Sequence, residues 1–239
     1  DITARTFFYG LSGDYDFKGK VIENNITGLS IEIDGFEMTS RLIGEFNAYN
    51  LLVVYSVAKS LGEESVTILT ILSNLKAPEG RFEYIISPSN VTAVIDYAHT
   101  PDALENVLKT LKDLKSDKEK IFTVFGCGGD RDKGKRPKMA HIASQLSSQA
   151  ILTSDNPRTE NSQTIIDEME VGITSENYKK TLSILDRRQA IKTACKFSNR
   201  GDILLIAGKG HENYQEINGV RSHFDDLEEV KNCFNQLKK

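Results

Sequence analysis

Cysteine is scarce in this sequence: Cys127, Cys195 and Cys233 are odd in number and far apart. That argues against a disulfide framework or a cysteine-based zinc cluster and fits the reduced thiols of a cytosolic protein. Long apolar runs are missing too. The longest, residues 51–58, has a serine inside it and is far too short to span a bilayer. No signal peptide opens the chain, so a soluble cytoplasmic protein without membrane insertion is expected. Neither sign of charge dominates. Thirty basic residues stand against 34 acidic, the net charge is −4, and no long run of one sign occurs. This disfavours nucleic acid as a partner and excludes a polybasic membrane anchor. Low-complexity tracts are also absent. With 39% apolar and 27% charged residues there is enough material for a real core. At 239 residues the chain exceeds the usual domain size of roughly 100–150 residues, so one large or two modest domains are expected.

Residues 27–43 alternate apolar and polar around Asp34-Gly35, a good hairpin signal. Residues 47–61 then carry apolar positions at helical spacing and are closed by Gly62; a second helical stretch covers about 64–75. The break at Ala77-Pro78-Glu79-Gly80 predicts a domain boundary, giving domains 1–78 and 79–239. Beyond it, short β-branched runs alternate with helix-length segments. Strands are expected at 91–95, 121–125, 150–153 and 203–206. Helices are expected at 102–114, 137–146, 164–170, 186–197 and 225–237. Strand–helix alternation with almost wholly apolar strands implies an α/β fold whose parallel sheet is covered on both faces.

In such sheets ligands bind at the carboxyl ends of the strands, and the unusual residues fall there. The four strand exits read Asp96-Tyr97-Ala98-His99-Thr100-Pro101, then Gly126 through Pro137 with Asp130-Arg131-Asp132-Lys133-Gly134-Lys135-Arg136 inside it. The last two are Ser154-Asp155-Asn156-Pro157-Arg158-Thr159 and Ala207-Gly208-Lys209-Gly210-His211-Glu212. Taken singly each has a plain explanation. Asp96 and Asp102 can serve as turn or helix-capping residues, His99 and His211 as structural histidines, and 130–136 as a solvated loop. Their coincidence at one sheet edge favours a ligand site. Gly129 to Arg136 spells Gly, four residues, Gly-Lys, then Arg where a P-loop needs Ser or Thr to hold magnesium, so it is not a Walker A loop. Gly126-x-Gly128-x-x-Arg131 lacks the third glycine of a dinucleotide fingerprint.

At these loops the sequence resembles the Mur ligase family. The resemblance rests on residues 44–52, 80–83, 96–104, 125–137, 154–159 and 207–215, in the family's order. Within the family it is to members that add meso-diaminopimelate to UDP-N-acetylmuramoyl-L-alanyl-D-glutamate through an acyl phosphate. The resemblance implies that residues up to about Pro78 are the remainder of a P-loop-type central ATPase domain, with a β-hairpin and two helices. Residues from about Glu79 onward are then a Rossmann-like amino-acid-binding domain. The family's UDP-sugar domain, P-loop, magnesium ligands and carbamylated lysine would precede the part seen here, so these residues alone are expected to be inactive.

The implied substrates are ATP with Mg2+, whose ligands would lie mostly upstream, meso-diaminopimelate and the UDP-muramoyl dipeptide; a monomer is expected. By the same resemblance Asn47, Asn50, Arg81, Asp96 and His99 face the nucleotide, with no metal ligand and no catalytic group assigned among these residues. Arg131, Asp155, Asn156, Pro157, Arg158, Gly208 and Glu212 face the amino acid. An amino acid with two zwitterionic ends needs both signs of charge around it, which this set offers. A lysine-adding or other ligase of the family, a folylpolyglutamate synthase relative, and a non-catalytic amino-acid- or nucleotide-binding module remain alternatives.

Overall fold

The computed structural model describes residues 4–237, and the chain divides into two compact units, Asp1–Ala77 and Pro78–Lys239.

In the first unit, β1 (Tyr9–Gly10), β2 (Phe17–Asn25), β3 (Gly28–Ile33) and β4 (Phe36–Ser40) form a four-stranded sheet in that order. β3 and β4 are the hairpin expected at Asp34-Gly35, and both turn residues have positive φ, 48° and 82°. Leu29, Ile31 and Ile33 alternate inward from β3. They pack on Leu51, Leu52 and Tyr55 of α1 (Glu45–Ser60) and on Ile68, Leu69 and Leu72 of α2 (Ser65–Ser73). Each such side chain, fully buried, contributes about 1.5–3 kcal/mol. The sheet is larger than the hairpin read from sequence, because β1 and β2 extend it.

The second unit holds a six-stranded sheet in the order β5 (Glu83–Ile86), β6 (Thr92–Asp96), β10 (Ile203–Ala207), β7 (Ile121–Cys127), β8 (Gln149–Ser154), β9 (Thr181–Ser183). All neighbours are parallel except β5, which runs antiparallel to β6 at the edge. The connecting helices are α3 (Pro101–Leu114), α4 (Lys135–Leu146), α5 (Ser162–Glu170) and α6 (Arg187–Phe197). A small antiparallel hairpin, β11 (Tyr214–Ile217) and β12 (Val220–His223), precedes α7 (Asp226–Leu237).

Every residue of β7 and β10 is buried. One face of the sheet joins Ala93, Ile95, Val124, Ile151, Leu204 and Ile206 to Ala190, Ile191 and Ala194 of α6 and Val230 and Phe234 of α7. The alternate residues Val94, Phe125, Leu152 and Leu205 are equally buried on the other face. Coverage of both faces is why these strands read as continuous apolar runs.

Helix starts follow local chemistry. The cap of α3 is Thr100, whose hydroxyl accepts from Ala103 N at 3.3 Å with Pro101 at the first helical position; Asp102 lies inside the helix and is not the cap. α4 begins two residues before Pro137, which is tolerated because a first-turn amide has no intrahelical partner. Among the described residues no helix is long and apolar enough to cross a membrane.

Candidate functional site

β6, β10, β7 and β8 end at one edge of the sheet. Ala207 pairs with both Asp96 and Phe125, and Cys127 pairs with Ser154. Their four exit loops and the β11–β12 hairpin surround a cleft of about 590 Å³. It is lined by Tyr97, His99, Thr100, Gly128, Arg131, Asp132, Lys135, Asp155, Asn156, Arg158, Gly208, Glu212, Tyr214, Glu216 and Arg221. The structure therefore brings together His99, Arg131, Asp155, Asn156, Arg158, Gly208 and Glu212 of the residues anticipated from sequence. Pro157 does not line the cleft; its carbonyl accepts from Glu160 N within the same loop.

Arg158 has a φ of 51°. Its backbone forms a parallel bridge with Ile217: Arg158 N donates to Glu216 O at 3.0 Å, and Asn218 N donates to Arg158 O at 2.7 Å. One guanidinium nitrogen donates to Gly129 O at 2.8 Å. The rest of this planar fork carries no bond among the described residues, which suits it to a carboxylate. Arg131 also lines the cleft and is exposed, with a single bond to Asp130 O at 3.2 Å.

Asn156 is the junction of the site. Its Nδ2 donates to Glu212 Oε2 at 2.7 Å, while its Oδ1 accepts from Lys209 Nζ at 3.0 Å and Glu216 N at 2.9 Å. One side chain thus ties the β8 exit, the β10 exit and the hairpin. Lys209 is fully buried; its ammonium also donates to Tyr214 O at 2.7 Å and lies 3.4 Å from Asp155 Oδ1. Burial pulls its pKa below the ordinary lysine value, opposed by the nearby Asp155 carboxylate. Gly208, at φ 111°, leaves room for Asp155 Oδ2, which sits 2.8 Å from where a Cβ would stand.

Two buried arginines hold the loops from beneath. Arg187 pairs bidentately with Asp226, both contacts 2.7 Å, and also donates to Ala207 O at 3.0 Å, fixing the end of β10. Arg136 closes the loop after β7, bonding Glu160 at 2.8 and 3.0 Å, Glu168 at 2.5 Å and Gly128 O at 3.3 Å. The Arg136 guanidinium draws the Glu160 carboxyl down to about 2. Residues 130–136 are therefore not simply a solvated loop: the run is anchored at its end by a fully buried arginine.

Of the nucleotide candidates, Asp96 already serves the backbone: its two oxygens accept from Phe82 N and Ala98 N, both at 2.8 Å. Burial raises its pKa, the two backbone bonds and Arg81 opposing. Arg81 is exposed, its guanidinium 6.0 Å from the Tyr97 ring centre. His99 Nδ1 lies 2.9 Å from Tyr97 O, and His99 O accepts from Lys135 Nζ at 2.8 Å. Asn47 and Asn50 lie on α1 in the first unit, where Asn47 Nδ2 donates to Ile43 O and Asn50 Nδ2 to Asn47 Oδ1. Among the described residues no group of three or more His, Cys, Asp or Glu could hold a metal ion.

Tyr214, Glu216 and Arg221 line the cleft without having been anticipated from sequence. The signal that could have found them is Asn218-Gly219, a favoured two-residue hairpin turn.

A parallel sheet covered on both faces, with a cleft of mixed charge at its carboxyl edge, defines a Rossmann-like ligand-binding domain. Residues 80–210 match the family described as Mur ligase, glutamate ligase domain, and the chain belongs to the Mur ligase family. It is 52% identical over 99% of its length to a UDP-N-acetylmuramoyl-L-alanyl-D-glutamate--2,6-diaminopimelate ligase of Cytophaga hutchinsonii. To the protein of the same name in Bacteroides thetaiotaomicron it is 50% identical over 97%. The chain covers 48% of each, about half the length of these relatives. A solved structure of a ligase of that name superposes with a TM-score of 0.74 at 40% identity, over 98% of this chain and 48% of the other. The folylpolyglutamate synthase of Thermotoga maritima shares the fold, with a TM-score of 0.63 at 22% identity over 81% of this chain and 44% of its own.

Proposed function

We propose that this chain works within a cytoplasmic, ATP-dependent ligase that adds meso-diaminopimelate to UDP-N-acetylmuramoyl-L-alanyl-D-glutamate in peptidoglycan synthesis. The observation that carries the reading is the cleft's pairing of charges: Arg131 and Arg158 stand with Asp155 and Glu212 at one sheet edge. The names of its half-identical relatives point the same way.

In this reading ATP phosphorylates the γ-carboxyl of the D-glutamate, and the amine of diaminopimelate displaces the phosphate. The second unit acts by positioning. Arg158 and Arg131 hold the substrate's carboxylates, Asp155 and Glu212 accept from its ammonium groups, and Asn156 and Gly208 shape the wall between them. Holding the amine in attacking geometry replaces a bimolecular encounter with a nearly unimolecular step. Arg81, Asp96 and His99 are the nucleotide residues of the second unit, where Arg81 neutralises phosphate charge; Asn47 and Asn50 are those of the first. Asp96 reaches the ribose only through acceptor capacity left over from its two backbone bonds. Magnesium, when bound with ATP, screens the phosphate oxygens.

The test is phosphate release by the full-length protein with ATP and the UDP-muramoyl dipeptide, comparing meso-diaminopimelate with L-lysine. Release dependent on diaminopimelate is expected. Equal or better use of lysine would overturn the assignment.

A further inference from the structure

Resting on the reading just given, we propose that Glu160 is a positioning residue: it sets the distance between Arg131 and Arg158, and through it the length of amino acid that the cleft accepts. Glu160 does not itself line the cleft. It ties together the two loops that carry these arginines.

Arg131 belongs to the loop after β7 and Arg158 to the loop after β8. The ladder between the two strands ends at Cys127 and Ser154, short of both arginines. Beyond it, side chains and loop backbone hold the spacing. Glu160 Oε1 accepts from Asp130 N at 2.6 Å and from Arg136 Nη2 at 2.8 Å, and its Oε2 accepts from Arg136 Nη1 at 3.0 Å. Thr159 Oγ1 donates to Asp130 Oδ1 at 2.7 Å, and Gly129 N donates to Asn156 O at 2.9 Å. A Cβ on Gly129 would stand 1.9 Å from Pro157 O, so the loops meet backbone to backbone.

Asp130 is the lever. Its φ of 55° lies in the left-handed region, as does the 51° of Arg158. Residues other than glycine stay there only where their surroundings hold them. Glu160 restrains the Asp130 amide and Thr159 its carboxylate, and Arg131 is the next residue in the chain. The arginines cannot fix their own spacing, because two guanidiniums lining one cleft repel each other.

A substrate with a carboxylate at each end reads the separation of two cations as a length. Changing that separation alters which length is preferred. A general weakening of the fold lowers the active fraction for every amino acid alike and leaves the preference where it was.

The experiment compares meso-diaminopimelate with its homologues one methylene shorter and one longer, meso-2,5-diaminoadipate and meso-2,7-diaminosuberate, in the full-length ligase. Glu160→Gln should raise the KM for meso-diaminopimelate about tenfold, the worth of one bond to a charged group. The preference over at least one homologue should fall about three- to tenfold, read from KM, or from inhibition constants where a homologue is not turned over. The KM values of ATP and the UDP-muramoyl dipeptide should move less than about twofold, because the change touches amino-acid binding alone. Thr159→Val alters an exposed residue and removes the hydroxyl bond to Asp130, so it should shift the same preference in the same direction by less. It also supplies the test if Glu160→Gln does not fold. An unchanged length preference, whatever happens to kcat, would overturn the proposal. A wild-type protein that does not use meso-diaminopimelate would instead remove the functional reading on which it rests.

Discussion

Arg158 and Ile217 are partners in a parallel bridge, yet they line different clefts. Arg158 faces the site, whereas Ile217 faces a second cleft that also holds Arg188 and Phe224. In a regular strand pair, bridge partners point to the same face. The positive φ of Arg158, 51°, breaks that rule and turns its guanidinium to the side of Glu216.

This orientation gives Arg158 its predicted weight. In the proposed reading it would meet the distal carboxylate of diaminopimelate, whereas with lysine it would meet an ammonium and lose a bond. Arg158→Ala should cost about 2–5 kcal/mol in apparent affinity for meso-diaminopimelate if the pair is desolvated, and should narrow the preference over lysine. Steady-state kinetics with both amino acids check this. Unchanged preference would remove Arg158 from the specificity mechanism.

The hairpin turn offers a gentler handle on the same residue. Asn218 and Gly219 have φ values of 49° and 76°, and a Cβ built on Gly219 would meet nothing within 4 Å. Gly219→Val therefore acts through backbone strain alone, of about 1–2 kcal/mol. Because Asn218 N bonds Arg158 O, the expected result is a raised KM for diaminopimelate together with an unfolding midpoint lowered by about 2–4 °C per kcal/mol of strain. A midpoint that falls with KM untouched would contradict it.

Arg187 and Asp226 are fully buried together, and their pairing should matter to the fold before it matters to the chemistry. Asp226→Ala leaves an uncompensated buried guanidinium and should destabilise the protein by about 3–5 kcal/mol. Replacing both partners by Met and Leu should recover only part of this, since Ala207 O would still lose its donor. Urea denaturation of the wild type and the two variants decides. Full recovery would show that the carbonyl contact contributes nothing.

Glu160 supplies a pH test. Its carboxyl sits at about 2 in the folded protein against an ordinary 4.5, chiefly through Arg136. A carboxylate with a lowered pKa stabilises the fold above its unfolded value, and that contribution disappears as pH falls from 4.5 toward 2. Wild type should exceed Glu160→Gln in stability at neutral pH, and the gap should close across that window. A gap independent of pH would mean the ion pair is not its source.

The sheet of the second unit was readable because its strands are buried on both faces: β6, β7, β8 and β10 appear as apolar runs whatever their neighbours. β5 was not readable. It is a half-exposed antiparallel edge over Glu83–Ile86 with no alternation to mark it. The β11–β12 hairpin was missed because β12 is exposed throughout, so only its turn chemistry speaks. That omission hid Tyr214, Glu216 and Arg221. Of the residues anticipated at the four strand exits, His99, Arg131, Asp155, Asn156, Arg158, Gly208 and Glu212 line one cleft, since strand ends fix where loops begin, whereas Asp96 and Pro157 do not line it. Sequence gave no sign that Asn156 joins three segments or that Lys209 and Arg136 are buried, because burial of a charge depends on partners distant in the chain.

The position of β10 has a consequence for how the protein is made. It lies between β6 and β7, although residues 128–202 separate it from β7 and residues 97–202 from β6. As the polypeptide leaves the ribosome, β6 and β7 cannot pair directly in the native order, and a slot must stay open for a strand that is synthesised late. Such distant pairings are slow to form because the intervening chain must be ordered first. The cleft is consequently incomplete on a nascent chain that has not yet released Ala207, because the β10 exit and the hairpin after it supply Gly208, Glu212, Tyr214, Glu216 and Arg221.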